Sequence, residues 1–497
     1  MPGAPRSKRC QRCRQRKIKC DETWPCCTPC QRANSPCSGP SNTIRFIHDD
    51  NHYDHEIRPE TSLHKKGRLG GGGLVAKKSQ QYSNGSSFHC LQVPQEPRPN
   101  PTTVADRVAL RFVSYLEKDA FRELLSSVGY TKIFPCRLGG SPVLRDCVAF
   151  FCSVWANFRR GVQLIDRNVY DKALKTLGSA LNDPQEWRKS ETLAAVTLME
   201  RFELLFDARR KYHRSMHGKG VYSLMKKRGP PNPDDELDVY LALENKETVV
   251  SLLVVERGEN FYLTPRWYSV LAKALDGGLY GASTHRVYIY RLDLWFSCWP
   301  ELVHEMRSVQ AGTDLGSLDR ALSLYHRILD MDAEIEVLGG GIISDFQKAG
   351  LIEEVSSPTS ITESRYFFAN IEAQRCMGIY LSIAIILNRM MCHLGEFLGQ
   401  GEKATLEKDY KRLCYQTWMC LPNINRLGPL SRVLFVVMLY LSYEGADEAQ
   451  TAYLFEWLVQ TDENRDRLPK TPNEVKEMAL LASRAITGRG SFATGGP

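Results

Sequence analysis

No uninterrupted apolar stretch in this 497-residue chain reaches the ~18–20 residues that a bilayer crossing needs. The most apolar runs, Val433–Leu441 and Tyr380–Leu387, fall well short. The opening residues MPGAPRSKRCQRC carry charge but no apolar signal core, so secretion is not expected. Glycine (36) and proline (25) are near ordinary usage, which excludes collagen-like and low-complexity chains. Also missing are a nucleotide-binding loop, a nucleophile elbow and the ligand pairs of a catalytic metal, so an enzyme is not expected. What remains is a chain 43% hydrophobic, enough for a sizeable core and long enough for more than one domain.

The net charge of +8 is concentrated at one end. Residues 1–40 hold nine Lys/Arg against Asp21 and Glu22, while the other 457 residues carry 56 basic and 55 acidic side chains. A neutral body with a basic head suits a polyanionic partner, because each neutralised phosphate releases condensed counterions. A solvated or import segment has the same composition, so charge alone does not decide.

Cysteine spacing decides more. Seven of the 16 cysteines lie within residues 10–37, spaced Cys10-x2-Cys13-x6-Cys20-x6-Cys27-x2-Cys30-x6-Cys37, with Cys26 as the seventh. Dense cysteines in a chain without a signal segment read as a metal site rather than a disulfide framework. Zinc takes four ligands, and six thiolates supply two sets of four only if two sulfurs are shared. The second half of the pattern repeats the first, so symmetry nominates the first cysteine of each half. One ion would take Cys10, Cys13, Cys20 and Cys27; the other Cys10, Cys27, Cys30 and Cys37. No histidine occurs in residues 1–40 to compete.

This spacing, with the intervening RQRKIKCD, resembles the fungal Zn₂Cys₆ binuclear cluster transcription factors over roughly residues 8–40. The resemblance implies two Zn²⁺ ions and favours Cys27 as the fourth ligand over the runner-up Cys26, because the family places a proline two residues before it, here Pro25. It also implies a short helix in the run Arg14–Lys19, docked in the major groove. Arg16 and Lys17 match the positions that reach base edges, typically at a CGG triplet. Arg14 and Lys19, with Lys8 and Arg9, are expected on phosphates. Ile18 is expected to pack against the cluster.

The expected architecture is mostly α: a zinc cluster at 8–40, a flexible linker at 41–103, an all-helical domain at 104–487 and a disordered tail at 488–497. The linker is polar and Gly/Pro-rich, and His48, His52 and His55 among its aspartates read as a solvated tract. No heptad repeat sustains a dimer there. In the body, helical periodicity falls at 104–127, 143–158, 192–207, 213–227, 236–256, 285–307, 317–337, 364–395, 404–420, 430–444, 449–460 and 473–486, with Ser190 as a cap and breaks at Gly139-Gly140, Gly229-Pro230-Pro231, Gly339–Gly341 and Gly428-Pro429. No strand is expected. Thr192–Val196 leading to Glu200, His217-x2-Gly220-x3-Leu224-x3-Arg228-Gly229-Pro230 and Phe261–Trp267 resemble the helical fungal-specific regulatory domain that follows many zinc clusters; Arg214 stands where a tryptophan is frequent. His217, Trp155 and the scattered Cys147, Cys152, Cys414 and Cys420 read as packing residues.

These expectations amount to a nuclear regulator of RNA polymerase II transcription, tied by family habit to metabolic or secondary-metabolite genes. Its partners would be double-stranded DNA and the transcription machinery or co-regulators; a second copy of the chain and a small-molecule effector are further candidates, and a membrane is not. The alternatives are a ligand-binding or enzymatic helical body with a DNA-anchoring zinc module, and a zinc-held interaction scaffold.

Overall fold

The computed structural model describes residues 10–21, 27–33, 35, 37, 103–118, 129–162, 165–206, 216–276, 284–312, 315–358, 360–400, 402–427, 429–461 and 468–490. Pro25, Cys26, Lys8, Arg9, the tract 41–102 with its histidines, Arg214, residues 491–497 and the side chain of Arg14 lie outside them. Contacts divide the chain into two units, Met1–Val93 and Pro94–Pro497.

Among its described residues the first unit has two short helices, Gln11–Gln15 and Thr28–Arg32, and those that are buried are cysteines. So few residues cannot hold a fold by apolar burial.

The second unit is helical and starts on a capping box: the Thr103 hydroxyl accepts from Asp106 N–H while the Asp106 carboxylate accepts from Thr103 N–H. The Ser141 hydroxyl caps Pro142–Arg159 by accepting from Leu144 N–H at 3.3 Å, with Pro142 preset for the first turn. The core forms two clusters. One gathers Phe112, Phe151, Leu193 and Met199; the other gathers Val303, Ile342, Leu381 and Leu439 from later helices and is joined by Val250 and Val254.

Charge is buried in the first cluster. Arg201, 2% exposed, is paired with Glu200 and, at 2.8 Å, with Glu244, which pins helix Ser190–Phe206 to Glu236–Glu244. Ser190 opens its helix, but its hydroxyl donates to Asp235 at 2.6 Å instead of capping; Asp235 in turn caps Glu236–Glu244 and pairs with Arg137 at 2.8 Å.

Several elements depart from the periodicity. The segment 236–256 is two helices split at Asn245, whose buried amide donates to Thr197 Oγ1 and to Leu241 O. Arg167–Asn182 and Pro265–Asp276 are further helices; the first buries mainly Ala173, Leu177 and Ala180, too small a stripe to mark it. A strand is present after all: Ile352–Ser356 pairs antiparallel with Ser364–Phe368, Ile352 opposite Phe368. Tyr366 and Phe368 face inward there, but an exposed Phe367 hides the alternation. The helix that follows begins at Ile371 rather than 364.

Gly339–Gly341, expected to break the chain, lies inside the 34-residue helix Leu315–Lys348. A Cβ on Gly339 would sit 2.1 Å from the Tyr380 ring, and one on Gly341 would sit 2.8 Å from the Tyr288 hydroxyl. These glycines are close-approach points, and packing outweighs their ~1 kcal/mol helix cost. The partner helix Ile371–Leu398 is long and apolar enough to cross a membrane by composition, yet 78% of its apolar window is buried among its neighbours.

On helix Leu315–Lys348, burial and the nearby Glu336 and Asp409 carboxylates raise Asp332 to about 7. Because this exceeds the ordinary Asp value of ~3.9, protonation favours the fold, and stability is lost as pH climbs from about 4 through 7. Asp332→Asn is therefore expected to raise the melting temperature at pH 8 and to lose that advantage at pH 4; an equal shift at both pH values would contradict this.

Candidate metal centre and nucleic-acid interface

Helix Gln11–Gln15 carries Cys13 one turn after Cys10, and helix Thr28–Arg32 carries Cys30 in the same relation to Cys27, so each Cys-x2-Cys places two thiols side by side. Asp21 joins the halves: its carboxylate accepts from the Thr28 N–H at 3.1 and 3.2 Å, at the start of the second helix. Only the letters CD after the third ligand hint at this role in the sequence.

The sulfurs form two overlapping sets of four, Cys10/Cys13/Cys20/Cys27 and Cys10/Cys27/Cys30/Cys37, each within 4.8 Å. Separations of 3.6 Å for Cys10–Cys27 and Cys13–Cys27, and 3.7 Å for Cys27–Cys37, are far from the ~2.05 Å of a disulfide. They match the edge of about 3.8 Å that a tetrahedron with Zn–S bonds of ~2.3 Å requires. Cys13 N–H donates to Cys10 Sγ at 3.3 Å, a bond that orients this ligand sulfur.

Burial, followed by the Cys10 thiol, pushes Cys13 up to about 12; burial also raises Cys27 and Cys30. Thiols this costly to ionise become thiolates only beside a strongly charged cation, so metal uptake expels protons and weakens as pH falls.

The expected helix through Arg14–Lys19 lies earlier and stops at Gln15. The Ile18 N–H reaches back to Cys13 O at 3.1 Å, and Lys17 takes φ = 53°, closing the helix in Schellman fashion. A non-glycine residue in this region costs roughly 1–2 kcal/mol. Arg16, Lys17, Ile18 and Lys19 are all exposed beyond the helix end. Ile18, at 38% exposure, stands outward among these cations instead of packing on the cluster. As the residue just past the closure, its backbone and not its side chain serves the fold.

In the body, the His217 N–H donates to Glu203 at 2.9 Å, opening helix Met216–Arg228. Trp155 is buried against Phe158 in the core. Cys147, Cys152 and Cys414 are buried thiols that desolvation raises to about 12, and burial raises Cys420 too. Of the other resemblance residues, Arg228 pairs with Asp238 at 2.7 Å, and Phe261, Tyr262 and Trp267 pack ring on ring.

Residues 8–45 match the family model of the fungal Zn(2)-Cys(6) binuclear cluster domain. Neither the curated proteins nor the solved structures yielded a match to the chain. The amino-terminal module is thus a zinc-cluster domain that takes two zinc ions, and it carries the assignment of the chain as a DNA-binding transcription factor.

Proposed function

We propose that this transcription factor reads a CGG-like element in the nucleus, with Arg16 and Lys17 on base edges and Lys19, Arg14, Lys8 and Arg9 on phosphates. Cys10, Cys13, Cys20, Cys27, Cys30 and Cys37 hold the two zinc ions, Cys10 and Cys27 bridging them. The helical body is a regulatory domain with no catalytic residues, answering to a co-regulator or small-molecule effector; a metabolic gene set is the expected target. The observation that most supports this is the exposed run Arg16-Lys17-Ile18-Lys19 leaving a helix anchored at Cys10 and Cys13. The zinc ions supply charge and rigidity; the chain's own cations outweigh the negative thiolates around them.

The test uses full-length protein on a CGG-containing duplex and on a scrambled one. Arg16→Ala and Lys17→Ala are each expected to weaken binding to the CGG duplex by about 1–3 kcal/mol, roughly 5- to 150-fold, with zinc content unchanged. Lys19→Ala is expected to weaken both duplexes alike and to reduce the salt slope by about one. Undiminished preference for CGG in the double variant Arg16→Ala/Lys17→Ala would remove the base-reading assignment.

A further inference from the structure

The second unit contains a cavity of about 120 Å³. Helices Lys246–Val255, Thr284–Ala311, Leu315–Lys348, Ile371–Leu398 and Pro429–Ser442 line it. Its walls are aromatic and aliphatic, with Trp295, Trp299, Phe296, Ile383, Phe435 and Met438 prominent. One end is polar, formed by Glu247, Asp293 and Arg375.

Three features show that the space is built. Trp299 is fixed by its indole N–H, which donates to Ile486 O at 2.9 Å. Pro300 follows it inside the helix, where the ring excludes the hydrogen bond to the Phe296 carbonyl, itself on a wall residue. Gly378 also lines the space: a Cβ there would meet Phe435 and Met438 at ordinary contact distances of 3.8 and 3.9 Å, so alanine fits and anything longer reaches into it. A larger residue would fill the cavity; glycine leaves it open at a cost of about 1 kcal/mol to its helix.

The polar end restricts the occupant. Arg375 pairs with Glu247 at 2.7 Å, and Lys246 reaches Asp293 at 3.4 Å, so charges at this end already cancel. A charged ligand would have to break one of these pairs, leaving an uncompensated charge in a poorly solvated place. A neutral hydroxyl can donate to the Glu247 or Asp293 carboxylate without breaking either pair. Apolar cavities of this scale bind aromatic molecules, as benzene in an engineered ~150 Å³ cavity illustrates.

We propose that this cavity is the effector site of the body, taking a neutral, largely apolar molecule of one or two rings with a single hydroxyl donating to the carboxylates at the Glu247–Asp293–Arg375 end. The regulatory consequence rests on the reading of the body as a sensor; the binding itself does not, and neither depends on the zinc module.

The probe is 2-naphthol, with 2-naphthoate as its charged counterpart, titrated into full-length protein while tryptophan emission is followed. Saturable binding of 2-naphthol, at least tenfold tighter than of 2-naphthoate, is expected. Gly378→Leu should abolish it and Gly378→Ala retain it. If the leucine variant fails to fold, the conservative double variant Trp295→Phe/Trp299→Phe locates the probe: the emission change disappears when the probe sits here. No binding at 1 mM, equal binding of the anion, or an emission change that survives the double variant would each overturn the proposal. DNA binding, measured separately, is expected to persist in every one of these variants, so failure here leaves the DNA-reading assignment standing.

Discussion

Cys27→Ser is expected to strip both zinc ions from the chain and abolish sequence-specific DNA binding, whereas Cys26→Ser should leave two ions and full binding. The reason is membership: Cys27 belongs to both sets of sulfurs and lies 3.6 to 3.7 Å from Cys10, Cys13 and Cys37. Removing a shared ligand leaves each ion with three sulfurs, against the four that structural zinc sites use. Cys37→Ser, which touches only one set, should retain close to one ion per chain. Apparent zinc binding energies of roughly 10–16 kcal/mol are folding energy in modules this small, so losing the metal means losing the groove-reading surface. Zinc per chain by elemental analysis, alongside affinity for the CGG duplex, checks all three. If Cys26→Ser empties the site and Cys27→Ser does not, the fourth ligand is Cys26.

The second large effect concerns the body. Gly339→Ala places a methyl group 2.1 Å from the ring of Tyr380, which is 1% exposed and has no room to retreat. Overpacking of a filled core costs typically 1–3 kcal/mol, and a clash with a trapped ring belongs at or beyond the top of that range. Gly340→Ala, one residue on, meets nothing within 4 Å. It should stabilise the helix by up to about 1 kcal/mol. Denaturant midpoints of the two variants should therefore move in opposite directions. Parallel movement would mean that Tyr380 does not rest on Gly339.

How much of this was readable beforehand depends on how local the signal is. Zinc ligands recur at fixed offsets, so the cysteine pattern exposed the cluster and its twofold repeat directly. Helices of good length, such as Pro142–Arg159 and Pro472–Ile486, were legible at 143–158 and 473–486, although their caps Ser141 and Thr471 went unread. Gly339–Gly341 misled because its purpose lies in Tyr380 and Tyr288, both distant in sequence. The strand at Ser364–Phe368 is only five residues long, and its outward Phe367 breaks the alternation. Ile18 misled because an apolar letter among cations suggests burial, while the left-handed residue before it turns the chain outward. The cavity was illegible: its lining comes from five helices and no local pattern encodes their meeting.

The left-handed backbone at Lys17 makes tolerance at this position lopsided. Valine, isoleucine and threonine collide with their own main chain at φ near 53°, so they should damage the module even where DNA contact is irrelevant. Glycine and asparagine relieve the conformation and should yield well-formed, metal-replete protein with a silenced base contact. A saturation library at residue 17, sorted once for zinc retention and once for promoter occupancy, would separate these two demands on a single side chain.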